Sequence, residues 1–247
     1  MISLVTGKIG SGKTLYCVGM IVKHLSKGLT VYTNIPLNFE EIAKYVRKNS
    51  RRIIVEEQLQ YVDLVNSAEW HKVIKWGSPG HPVLVLWDEI HLFFNARDWA
   101  KTQSLHRDML SFLSQSRKTD TDVVFIAQVA STLEKQFRVQ CEWEYYCRKI
   151  KDIPVPLFGT LPINRMLLVQ KDCESDKPIS RSMVMYDRRL FPCYDTRSFL
   201  DAQMREAALT AERIPPRKLQ RVPLVDKVSL IAGCIAIALI ALGFWYS

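Results

Sequence analysis

The segment from Ile2 to Tyr16, ISLVTGKIGSGKTLY, constrains this chain more than any other. An aliphatic run leads into Gly7, and Gly7 to Thr14 satisfies the pattern G-x-x-x-x-G-K-[ST] in full. Beyond it, Leu15, Val18, Val22 and Leu25 recur at helical spacing, with Gly28 placed to stop the helix. Strand, glycine-rich turn and helix, in that order, form the context in which this pattern binds phosphate. Gly7, Gly10 and Gly12 let backbone N–H groups turn inward around an anion, with Lys8, Ile9 and Ser11 between them. The helix N-terminus adds partial positive charge. Lys13 is expected to neutralise the β- and γ-phosphates of ATP, and the Thr14 hydroxyl to hold Mg²⁺. The four fixed residue types arise by chance in roughly one chain in a hundred of this length.

Other apolar runs read as strands: Leu29–Thr33, Arg52–Val55, Val83–Trp87 and Asp122–Ala127. Leu105, Met109, Phe112 and Leu113 make a second helical stripe. Nearly continuous apolar strands separated by helices predict an α/β fold, a mainly parallel sheet flanked by helices. From Cys141 the texture changes. CEWEYYCR alternates Cys141, Trp143, Tyr145 and Cys147 against Glu142, Glu144, Tyr146 and Arg148, as a half-buried strand does. Arg165–Lys171 and Ser182–Tyr186 read as further strands, so antiparallel additions to the sheet are expected here. Thr196–Ala211 reads as a last helix.

A second motif supports the first. In HPVLVLWDEIHLFF, a buried strand ends in an acidic pair. Asp88 at the strand's end is placed to hold Mg²⁺ through water, and Glu89 to activate an attacking water. Adjacent Asp and Glu favour an ATP hydrolase over a small-molecule kinase or a switch GTPase. Gln128 ends the following strand, where it either contacts the γ-phosphate and attacking water or simply terminates the strand. Arg117 precedes that strand; it serves either as an arginine finger toward a neighbouring subunit's nucleotide or as a cation at a helix C-terminus. Arg107 and Lys118 are rivals for the finger. His91 either couples nucleotide state to movement or hydrogen-bonds locally.

The far end of the chain is different again. Residues 228–247, VSLIAGCIAIALIALGFWYS, contain no charge, and twenty helical residues span about 30 Å, the thickness of a bilayer's hydrocarbon core. Trp245 and Tyr246 suit the membrane–water boundary, and Arg213, Arg217, Lys218, Arg221 and Lys227 stand on the near side. These features predict a single C-terminal transmembrane helix with the N-terminal part cytoplasmic. The predicted organisation is a P-loop domain over 1–212, a basic, Pro-containing linker over 213–227 and a span over 228–247. Met1 leads straight into strand-like residues, so no export signal is expected. The formal net charge of +9 falls wholly before Val228 and favours anionic lipid or nucleic acid. Arg47, Lys48, Arg51 and Arg52 are its densest cluster, either a DNA contact or a solvated face. Charged residues at 24% and aromatics at 10% exclude wholesale disorder. Six cysteines with no C-x-x-C pair argue against a zinc site or a disulfide framework.

A phosphate loop near the first residue, a strand leading to DEIH, an RK…FIAQ segment and a closing membrane crossing occur here in one order. This layout resembles the zonula occludens toxin-like (Zot) family, the gene I-type morphogenesis proteins of filamentous bacteriophages. That family is similar in its core to the RecA-like FtsK–HerA class of DNA-pumping P-loop NTPases. The resemblance implies an ATPase of the host inner membrane that drives virion assembly and extrusion. By motif, Gly7, Gly12, Lys13 and Thr14 match its nucleotide loop, Asp88 and Glu89 its acidic pair, and Gln128 its sensor. It also implies a ring-like homo-oligomer, and partners that include coat proteins, a shorter membrane companion, an outer-membrane secretin and the phage single-stranded DNA complex. Family members usually continue past the membrane into a periplasmic segment, whereas this sequence stops at Ser247. Two other functions fit the same motifs: a nucleotide-gated membrane scaffold that recruits coat protein with little hydrolysis, and a membrane-anchored DNA translocase.

Overall fold

Every residue of Ile2–Thr6 is buried, and this run forms β1, the strand from which the rest of the sheet is laid out. The computed structural model describes residues 1–62, 70–94, 103–150, 153–155, 159–161 and 165–195. After β1 come α1 (Lys13–Leu25), β2 (Val31–Thr33), α2 (Phe39–Ser50), β3 (Leu59–Tyr61), α3 (Trp70–Val73) and β4 (Val83–Trp87). There follow α4 (Gln103–Ser116), β5 (Thr121–Ile126), α5 (Lys135–Gln140) and β6 (Trp143–Lys149). The chain then forms β7 (Ile153–Val155), β8 (Gly159–Leu161), β9 (Arg165–Asp172) and β10 (Pro178–Met185).

Eight strands make one sheet in the order β10-β9-β6-β1-β5-β4-β2-β3. From β6 to β3 all neighbours are parallel, while β9 runs antiparallel to both β6 and β10. The expected α/β sheet is therefore present, mainly parallel with antiparallel additions. The alternating segment from Cys141 proves to be the last parallel strand, and the reversal begins at β9. This eight-stranded sheet belongs to a unit formed by residues 1–151 and 163–198. A second unit comprises 152–162 and 199–247, whose described part is the antiparallel hairpin β7–β8.

Helices cover both faces of the central parallel strands, so β1 and β4 are buried at every residue. On one face α1 buries Leu15, Val18, Ile21 and Leu25 with Val5, Leu86, Val124 and Ile126. On the other, Met109, Phe112 and Leu113 of α4 and Phe137 of α5 pack with Ile2, Leu4, Trp87 and Phe125. Trp70, Trp87 and Phe112 meet edge to face at 5.2–5.8 Å between ring centroids. Each such buried side chain contributes about 1.5–3 kcal/mol.

Two local readings are corrected. Arg52–Val55 is not a strand: Ile53 is 85% exposed, only Ile54 reaches the core, and the ladder beside β2 is taken by Leu59–Tyr61 after a 3-10 turn at Glu56–Gln58. The sequence reading also passed over α2. Its signals are local: Asn38 accepts the Glu41 N–H as an N-cap, Glu40 and Glu41 fill the first turn, and Ile42 and Val46 are buried one turn apart. The basic cluster lies at this helix's exposed C-terminal end, where Arg47 and Lys48 complement its dipole. Among the described residues no helix is long and apolar enough to cross a membrane. The expected helix at Thr196–Ala211, the linker and the span at 228–247 lie outside the described residues.

Candidate nucleotide-binding site

β1 ends at Thr6 and delivers the chain into a loop whose backbone only glycine adopts readily. Gly7 has φ +145° and Gly12 φ +93°, and a Cβ on Gly7 would stand 2.3 Å from the Cys147 carbonyl oxygen. The Gly7 N–H donates to the Gln128 carbonyl at 3.2 Å, tying the loop's start to the end of β5. Ser11 N–H donates to the Lys8 carbonyl, closing the turn, and Gly12 caps α1. Ile9 at the tip is 83% exposed. The Lys13 side chain is buried, and its ammonium donates to the Gly7 and Lys8 carbonyls at 2.8 and 3.3 Å. A cation is thus held inside a ring of backbone, beside a helix N-terminus, as anion binding requires.

β4 brings the acidic pair to the same place. The Thr14 hydroxyl donates to Asp88 Oδ2 at 3.1 Å, although 74 residues separate them in sequence. Burial pushes the Asp88 carboxyl up to about 6, and the neighbouring Glu89 adds to this. Hydrogen bonds from Glu89 N–H and Thr14, with the charge of Lys13, work against that rise. A desolvated carboxylate beside a hydroxyl offers the hard oxygen donors that Mg²⁺ prefers. Thr14 and Asp88 therefore fit the ion expected of them.

Glu89 sits in the left-handed region at φ +51°, an uncommon conformation for a residue with a Cβ. Its Oε2 lies 3.3 Å from His91 Nδ1, an ion pair whenever the ring is protonated. His91 Nδ1 thus stands beside Glu89 without a hydrogen bond to it. Gln128 lies beyond β5, the strand between β1 and β4, and lines a cleft of about 560 Å³ with Thr6 and Lys8. The Thr6 hydroxyl donates to Glu144 of β6 on that cleft. Arg117 is not brought to its own chain's loop. It stands before β5, at the opposite end from Gln128, and its guanidinium donates to the Gln140 carbonyl at 3.0 Å. It does complement a helix C-terminus, but that of α5 rather than α4.

Two further participants were not read from the sequence. Asn34, just past β2, accepts the Asp88 N–H at 2.7 Å and donates to the Asp88 carbonyl at 3.0 Å. Its only sequence signal is a polar residue ending an apolar strand, the same signal that Gln128 gives. Tyr186 follows β10; its hydroxyl donates to the Ser11 carbonyl at 2.8 Å, and a Cβ on Gly12 would meet its ring at 2.4 Å. Burial raises the Tyr194 hydroxyl as well, and the nearby Asp88 and Tyr186 push it the same way. Residues 186–195 therefore run from the phosphate loop to the acidic strand. Along the way Leu190 packs beside Gly19 of α1, and the Cys193 carbonyl accepts Asn38 N–H.

The family model for zonular occludens toxin (Zot) matches residues 1–198. The Gene 1 protein of Escherichia phage If1 is 28% identical over 214 residues, which cover 81% of this chain and 59% of the relative. That of Salmonella phage IKe is 31% identical over 162 residues, 64% of this chain and 43% of the relative. The chain thus spans about half the length of the curated relatives it matches. The solved N-terminal domain of zonular occludens toxin from Neisseria meningitidis covers 78% of this chain and 98% of its own, at 22% identity and a TM-score of 0.46. With four-fifths of its length matched by the family model, the chain belongs to the zonular occludens toxin (Zot) family.

Proposed function

We propose that this protein binds ATP with Mg²⁺ at the Gly7–Thr14 loop and hydrolyses it as the motor of filamentous phage assembly and extrusion. The observation that carries this reading is the meeting of Lys13, Thr14 and Asp88 around one glycine-rich turn. Lys13 would exchange its two backbone carbonyls for phosphate oxygens. Thr14 and Asp88 would hold Mg²⁺, which neutralises charge developing between the β- and γ-phosphates. Glu89 would accept the attacking water's proton, and Gln128 would orient that water.

The motor reading continues to the whole assembly. A ring of subunits lets Arg117, remote from its own loop, act on a neighbour's nucleotide. The span at 228–247 would anchor the ring in the host inner membrane with the nucleotide domain cytoplasmic. Coat proteins, the single-stranded DNA complex, a shorter membrane companion and an outer-membrane secretin are the proposed partners. One observation favours a second reading: Glu89 faces His91, the posture of a base held in reserve. In that reading the protein is a nucleotide-gated scaffold that turns over slowly.

Phosphate release by the purified, detergent-solubilised chain decides between them. The motor reading expects Mg²⁺-dependent turnover that collapses in Glu89→Gln while ATP affinity persists, and loss of both in Lys13→Ala. ATP binding with equal, negligible turnover in wild type and Glu89→Gln would favour the scaffold. Absence of ATP binding in the wild type would end both.

A further inference from the structure

The nucleotide reading accounts for one side of the loop and leaves Tyr186 without a task. A triphosphate is an elongated anion, and its two ends must leave the loop in different directions. Asp88, bonded to Thr14, places the metal toward β4, on one side of β1. The nucleoside therefore departs toward the other side, where β6, β9 and β10 stand. Tyr186 meets the loop on that side, against Gly12 and Ser11, and is only partly buried. Beside it opens a groove of about 280 Å³ between α1 and the ends of β9 and β10. Leu15, Tyr16, Met20, Met166 and Val184 line it together with Lys23, so its walls are mostly apolar and aromatic, with one cation among them. Both oxygens of Asp187, the carboxylate at its rim, are engaged by Arg189 and Tyr45.

Mostly apolar walls, an aromatic ring and a rim carboxylate already engaged suit a flat heteroaromatic group held by stacking. Resting on the nucleotide reading above, we propose that Tyr186 and this groove are the base subsite, in which the base of the bound nucleoside triphosphate stacks against the Tyr186 ring. The ring does this work, held by its packing against Gly12; the hydroxyl, bonded to the Ser11 carbonyl, takes no part in the stacking. Stacking on an aromatic face tolerates any base, so the subsite adds affinity without choosing strongly among purines.

Calorimetric titration of the full chain in detergent with Mg²⁺ separates base from phosphate, using ATP and inorganic tripolyphosphate as the two probes. Tyr186→Phe keeps the ring, and Tyr186→Leu keeps apolar bulk against Gly12 without a flat face, which protects the fold. ATP affinity is expected to fall about tenfold in Tyr186→Leu and to remain near wild type in Tyr186→Phe, with tripolyphosphate unchanged in both. If ATP and tripolyphosphate weaken together, Tyr186 shapes the loop and the subsite is refuted. Unchanged ATP affinity in Tyr186→Leu refutes it equally. A wild type that binds tripolyphosphate as tightly as ATP shows that the base finds no subsite, whereas one that binds neither removes the nucleotide reading itself.

Discussion

The two flanks of β1 are built by different rules. Toward β5, β4 and β2 every strand is parallel, covered by helices on both faces and almost wholly apolar; its polar side chains gather where strands end, at Asn34, Asp88 and Gln128. Toward β9 and β10 the sheet turns antiparallel, and every residue of β10 is exposed except the half-buried Val184. The first flank holds charge in a dry setting, where hydrogen bonds are strong and an unpaired group is costly. The second reaches the loop through one tyrosine hydroxyl and a ring edge. The contrast teaches that the polar contacts of Lys13, Thr14 and Asp88 are held in a buried frame, whereas Tyr186 meets the loop from a more exposed edge.

The most severe way to break this division is at the residue where the flanks meet. Gly12→Ala adds a methyl group 2.4 Å from the Tyr186 ring at φ +93°, and should lower stability by about 2–3 kcal/mol, read as a shifted urea midpoint. Removing Tyr186 in the same chain should recover only the part owed to overlap, leaving the backbone strain. Asn34→Ala tests the dry flank alone. It strands the Asp88 N–H and carbonyl in the interior and should cost about 1–2 kcal/mol, with a weakened Mg²⁺ dependence of nucleotide binding. Glu89→Gly should move the other way. Glycine relaxes the left-handed backbone, so thermal unfolding should shift upward by about 1 kcal/mol while turnover is lost.

The smallest expected effect belongs to the exposed flank. Bonds from Arg189 and Tyr45 hold the Asp187 carboxyl well below the usual carboxylate range. A depressed carboxylate contributes stability above its unfolded value near about 4 and loses it as the pH falls below that. Asp187→Asn should therefore narrow the stability difference between pH 7 and pH 3, modestly, because Arg189 is 58% exposed and solvent screens the pair. An undiminished acid loss in this variant would show that the second flank holds its charges no more firmly than open surface does.

Legibility in the sequence followed the same line. The meeting of Lys13, Thr14 and Asp88 was readable because each stands a fixed, short distance from an apolar strand, and strand ends are local patterns. The parallel sheet was readable for the same reason. Tyr186 was not, because its partner Ser11 lies 175 residues away and nothing near Tyr186 encodes that meeting. Arg52–Val55 misled in the opposite way: β-branched residues side by side imitate a strand, yet pairing depends on which edge the neighbouring strand leaves free. Arg117 shows a third case, in which residue type and helix-end placement were right but the helix it caps comes later in the chain.

The stretch from Tyr186 to Asp195 has a mechanical meaning. Near its start it is fastened to the phosphate loop, and at its far end to the turn after β2 by bonds between Asn38 and Cys193 and between Asp195 and Pro36. A pull on the chain beyond Asp195 loads those fastenings before it reaches Ser11, so the phosphate loop lies at the end of a short tether.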